Sequence, residues 1–156
     1  MLSDRTFHSR VNRAIPSQAA VPARRTGKLE QEDRSGQLWI GFKEGGLVRG
    51  RSSSFAELPY MTTEAIQALH FDGAGRLWIS SVENGVTRVA DPTSGRPRIR
   101  SFGIAEGLSS NHIWCMTEDR FGRIYLGTGS GVDRLDPATG SDQTPHKVGR
   151  ACYRRR

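Results

Sequence analysis

An all-β fold of repeated antiparallel sheets is what this sequence predicts, and three observations carry the prediction. One pattern recurs three times: DRSGQLWIGFKEGGLVR from Asp33, DGAGRLWISSVENGVTR from Asp72 and DRFGRIYLGTGSGVDR from Asp119, with first residues 39 and then 47 apart. Each copy opens Asp-x-x-Gly, a hairpin corner between apolar runs, because the Asp side chain accepts from backbone amides two residues on and Gly tolerates positive φ. Each then continues through an apolar-aromatic-apolar triplet (Leu38-Trp39-Ile40, Leu77-Trp78-Ile79, Ile124-Tyr125-Leu126) to a glycine-containing turn and an arginine.

Strand by strand, the second copy is the fullest. Residues 65–71 before it are short and β-prone, and the corner at Asp72 and Gly75 leads into the Trp78 strand. A strand ending at Val89, a turn at Asp91-Pro92-Thr93-Ser94-Gly95 and a last strand at 98–102 complete four strands. The third copy is preceded by a strand at 112–117 and has its corner at Asp119 and Gly122. It ends at Leu135-Asp136-Pro137-Ala138-Thr139-Gly140, and SDQTPHKVGRACYRRR after it holds no expected strand. For the first copy, with its corner at Asp33 and Gly36, the preceding Gly27-Lys28-Leu29-Glu30-Gln31-Glu32 is polar. It is expected to bury nothing and to form no strand.

Four short antiparallel strands repeating every 40 to 50 residues is the pattern of a β-propeller blade, which buries both faces against its neighbours. Apolar residues on both sides of one strand, as at Leu77, Trp78 and Ile79, fit that arrangement. The expected fold is therefore a partial β-propeller of about three four-stranded blades over residues 32–140. A basic flank (1–31), expected to be disordered, precedes it and a basic tail (141–156) follows it.

Charge separates the same regions. The net charge of +7 is made of +4 in residues 1–31, +4 in 141–156 and −1 between, so a basic-patch reading attaches to the ends alone. Arg24-Arg25 and Tyr153-Arg154-Arg155-Arg156 supply an alternative function, a small basic nucleic-acid-binding protein contacting phosphates through these flanks. With 156 residues the chain has room for one domain. Cys115 and Cys152 have neither disulfide-framework nor zinc-site spacing. No run reaches the roughly 18 apolar residues of a membrane helix, and the first residues lack a secretory apolar core; the chain as written reads as soluble and unaddressed.

The tempting chemical motifs dissolve into the repeat. Gly127-Thr128-Gly129-Ser130-Gly131 follows a strand but has no helix after it, and its counterparts in the other copies are turns rather than phosphate loops. One Asp per repeat at the same turn is structural, where a catalytic pair would converge on one substrate. Asp33, Gly36, Trp39, Asp72, Gly75, Trp78, Asp119, Gly122 and Tyr125 are accordingly taken as structural repeat residues. His70 and His112 lack a nucleophile or third ligand, so no catalytic residue, metal site or cofactor is expected. The polar loop Ser109, Ser110, Asn111 and His112, with its counterpart Pro59-Tyr60-Met61-Thr62-Thr63, is the candidate ligand surface, because propeller ligands meet loops on one face.

The segment Gly107 to Gly140, GLSSNHIWCMTEDRFGRIYLGTGSGVDRLDPATG, resembles the repeat of two-component regulator propellers, and the copies at 33 and 72 resemble it too. The resemblance takes in about 110 of the 156 residues. It implies a non-catalytic, ligand-binding fragment of a bacterial sensor whose propeller is extracytoplasmic. The implied partners are further propeller blades, or self-association through open edges; a histidine kinase module in the parent protein; and an unidentified small ligand, with carbohydrate as a candidate. Neither kinase motifs nor a membrane-linking domain occur in the sequence.

Overall fold

The computed structural model describes residues 28–52, 54–58 and 64–136. They form three antiparallel sheets: β1 (Lys28–Glu32), β2 (Leu38–Phe42), β3 (Leu47–Arg51) and β4 (Ser54–Glu57); β5 (Ile66–Phe71), β6 (Leu77–Ser81), β7 (Val86–Ala90) and β8 (Arg98–Phe102); and β9 (Ile113–Glu118), β10 (Ile124–Thr128) and β11 (Gly131–Leu135). Within each sheet the strands pair in chain order. The partial propeller is thus observed as two four-stranded blades and a third with three strands among the described residues. Most of the basic ends, the loop 59–63 and the end of the third copy beyond Asp136 lie outside the described residues.

The opening strands set the architecture. β5 lies beside both β1 and β9, so the first strands of the three sheets run side by side and the sheets fan outward from them. The tryptophans on the second strands of the first two sheets then pack into the next sheet. Trp39 and Leu47 pack with Ile66, Leu69, Leu77, Ile79 and Val89 of the second sheet. Trp78, Val86 and Phe102 pack with Ile113, Ile124, Leu126 and Leu135 of the third. This two-sided burial is why Leu77, Trp78 and Ile79 are all buried.

β1 is a correction to the sequence reading. The polar run 28–32, placed largely in the flank and expected to form no strand, pairs residue for residue with β2, from Lys28 opposite Phe42 to Glu32 opposite Leu38. Ladder hydrogen bonds to a well-packed neighbour override weak local β-propensity, and Leu29 packs against the first core cluster. β5 and β9 differ from β1 by one bulge each, which leaves Gln67 and Trp114 out of register at the same repeat position.

Candidate functional site

The three corners share one hydrogen-bonded design. At each, the glycine N–H donates to the aspartate carbonyl three residues back, at 2.8–3.0 Å, and Gly36, Gly75 and Gly122 all have φ of 79°. The carboxylate closes the corner from inside. Asp72 Oδ1 accepts from the N–H groups of Ala74 (3.0 Å) and Arg76 (2.9 Å), and Oδ2 accepts from Arg76 Nε (2.6 Å) and Trp78 Nε1 (2.8 Å). Asp119 accepts the same set, from Phe121 N–H, Arg123 N–H, Arg123 Nε and, at 3.2 Å, the Tyr125 hydroxyl. Asp33 accepts from Ser35, Gln37 and Trp39 Nε1. Burial alone would raise these carboxyls, but the donors outweigh it: all three are held below the ordinary 3.8, Asp119 at about 2.

The sequence reading gave these aspartates to the turn but missed their second role as acceptors for the aromatic six residues on. The signal was present, since Asp33/Trp39, Asp72/Trp78 and Asp119/Tyr125 share one spacing. The arginine closing each copy sits opposite that aromatic on the third strand: Arg49 faces Trp39, Arg88 faces Trp78 and Arg134 faces Tyr125. Arg49 and Arg88 lie 5.2 and 5.9 Å from their ring centroids.

Two candidate recognition surfaces lie at opposite ends of the strands. At the corner end, a cleft of about 470 Å³ opens between the first and second blades, lined among others by Gln31, Glu32, Ser35, Phe71, Asp91 and Thr93. Phe71, edge-on to Trp39 at 5.5 Å, supplies an apolar wall. At the other end is the predicted loop of Ser109, Ser110, Asn111 and His112, much of it committed to internal bonds. Ser109 donates through N–H (2.8 Å) and hydroxyl (3.0 Å) to the fully buried Asp133, and its hydroxyl lies 3.1 Å from that of Thr128. Ser110 Oγ accepts from His112 N–H, and Asn111 Oδ1 from Ile104 N–H. His112 is exposed beside Trp114, itself 58% exposed. Asp133 was not singled out from sequence; the mark was an Asp where the other copies carry Val48 and Thr87.

His70 and His112 are not brought together: His70 sits in β5 opposite Trp78, with Nε2 3.8 Å from Glu118 Oε2, whereas His112 precedes β9. Trp39 and Trp78 are wholly buried and Tyr125 is half-buried. Cys115 is in no disulfide, and Cys152 lies outside the described residues.

Residues 107–130, which run from the Ser109 loop through β9 and β10, match the family model of the two component regulator propeller. No curated protein matches the chain. Among solved structures it is similar to the extracellular domain of BT4673 from B. thetaiotaomicron, described as a one component system in one crystal structure and as a hybrid two component system in another. Identity is 24% and the TM-score 0.62 in both, with 77% and 76% of this chain covered. The extracellular domain of BT3049 from the same organism, described as a hybrid two component system, gives 19% identity and a TM-score of 0.57 over 70% of this chain. The chain spans less than a fifth of those solved chains, 18% and 15% of their lengths, and the likeness is one of fold. Repeat, corner and sheet order agree: residues 107–130 match the two-component regulator propeller model, and the described residues form three blades similar in fold to part of those extracellular domains.

Proposed function

We propose that this chain is a non-catalytic, ligand-binding part of the sensory propeller of a two-component regulator, working outside the cytoplasm. The observation that carries the reading is the regulator-propeller repeat at 107–130 lying in register with two further blades of the same corner design. The extracytoplasmic setting rests on the extracellular domains to which the fold is similar. Further blades cover the open face of the third sheet, where Tyr125 is half-buried while Trp39 and Trp78 beneath neighbouring sheets are fully buried. Output belongs to a histidine kinase module.

The ligand is a small polar molecule, a neutral oligosaccharide first among candidates, and the cleft between the first two blades is its place. Polar groups around an apolar wall at Phe71 suit a ligand with one apolar face and a hydrogen-bonding rim. Of the four loop candidates, Ser109 is tied to Asp133 by N–H and hydroxyl, while Ser110 Oγ and Asn111 Oδ1 each accept one backbone N–H, which leaves the loop, with His112 exposed, as a secondary rim. Thermal unfolding with a panel of neutral oligosaccharides tests this. A binder at ~100 times its Kd adds about 2.7 kcal/mol of stability, and Thr93→Trp, which fills the cleft, removes that gain. A gain that survives Thr93→Trp would move the ligand elsewhere. No gain with any oligosaccharide, together with salt-sensitive DNA binding by the full chain, would favour the basic-flank alternative.

A further inference from the structure

The middle corner is gripped from both sides. From the first blade, Arg34 Nη2 donates to the carbonyl of Gly73. From the third, Glu118 accepts the Gly73 N–H on both carboxylate oxygens, at 2.7 and 3.0 Å. Among the described residues Arg34 and Glu118 are not bonded to each other; they share only Gly73. A side chain at 73 would put its Cβ 3.2 Å from Glu118 Oε1, so the close approach favours glycine.

The gripping residues occupy fixed places, the positions just after and just before the corner aspartate. The three corners read Glu32-Asp33-Arg34, Phe71-Asp72-Gly73 and Glu118-Asp119-Arg120. The outer two are grippers and the middle one a receiver. Arg34 reaches forward and Glu118 reaches back; Glu32 and Arg120 hold the same two positions in the first and third corners. Both are exposed, and Arg120 rests on the ring of Phe121, 4.7 Å from its centroid.

We propose that Glu32 and Arg120 are docking groups for flanking repeats of the receiver type, whose corner carries glycine directly after its aspartate. Glu32 takes that glycine's N–H on the preceding blade, and Arg120 donates to that glycine's carbonyl on the following one. A second copy of this chain is the poorer partner, since its outer corners are themselves grippers. The proposal rests on the reading that further blades flank this arc, and adds which repeats they are.

The test begins with the full chain. Arg34→Ala and Glu118→Ala each lower Tm by about 4 °C, whereas Glu32→Ala and Arg120→Ala leave it unchanged. The chain is then lengthened after Asp136 by a duplicate of its own second repeat, residues 59–102, so that an Asp-Gly corner follows Asp119. The lengthened chain gains stability, and there Arg120→Ala acquires a loss matching that of Arg34→Ala. A lengthened chain that gains stability while Arg120→Ala stays silent would overturn the grip and leave the flanking-blade reading standing. One that gains nothing would overturn both. Equal losses from Arg34→Ala and Arg120→Ala in the original chain would also overturn it, since Arg120 would then be stabilising its own blade.

Discussion

The second and third corners carry the same four donors on the same aspartate, yet they differ in what surrounds them. Asp72 is 3% exposed and its aromatic, Trp78, is fully buried beneath the third sheet. Asp119 and Tyr125 are half-buried, with no further sheet over them among the described residues. Hydrogen bonds of equal geometry therefore have unequal consequences. Where water cannot replace a lost partner, the orphaned donor carries its full desolvation penalty; where water can, the loss is small. The largest expected effect follows directly. Asp72→Ala strands the buried Trp78 N–H and removes the acceptor of Arg76 Nε, and costs about 3 kcal/mol in urea unfolding. Asp119→Ala gives the smaller loss. Equal losses would place the energy in turn geometry instead of in burial.

Truncating the aromatics sharpens the same contrast one step further out. Trp78→Phe removes a buried donor and leaves a void between the second and third blades, at a cost of about 2 kcal/mol. Tyr125→Phe removes a hydroxyl that water can replace, and its cost is within about 0.5 kcal/mol. The same unfolding curves read both. A Tyr125→Phe loss as large as that of Trp78→Phe would mean that the third corner is enclosed in solution.

The corner also separates what the sequence discloses from what only the fold assembles. Repeat period, strand sites and the turn role of Asp33, Asp72 and Asp119 were legible, because local turn chemistry and apolar patterning express themselves within a few residues. β1 was not legible: Lys28–Glu32 has no apolar alternation, and its strand exists through pairing with β2. Nor was Asp133 as the buried anchor of the Ser109 loop, since a contact across 24 residues depends on how the loop folds back. The cleft was missed for a related reason. Gln31 near the end of β1, Phe71 at the end of β5 and Thr93 in the turn between β7 and β8 are brought together only by blade stacking.

Acid should expose the corners as a group. For Asp33, Asp72 and Asp119 the folded carboxyl is more acidic than the unfolded one, so near 3.8 and below, the unfolded chain binds more protons. The stability they contribute is full above that range and is lost as pH falls through the folded values, which for Asp119 means down to about 2. Unfolding free energy measured from about pH 5 downward should be level at first and then decline. Asp72→Asn and Asp119→Asn, which keep the shape but cannot ionise, should each flatten part of the decline. A decline that neither substitution touches would put the acid sensitivity outside these corners.

A pair of substitutions expected to show no difference between the two corners tests the part that burial does not reach. Gly75 and Gly122 share φ of 79°, a conformation that costs any residue with a Cβ about 1 kcal/mol. A Cβ on Gly75 would meet nothing within 4 Å, and one on Gly122 only Glu118 Oε1 at 3.7 Å, ordinary contact. Gly75→Ala and Gly122→Ala should therefore cost the same, although Asp72 is buried and Asp119 half-open. Agreement within the error of the unfolding curves would assign backbone strain to the turn and the Asp72–Asp119 difference to burial. A much larger loss at Gly75 would mean that the turn itself is held more tightly where a neighbouring blade encloses it.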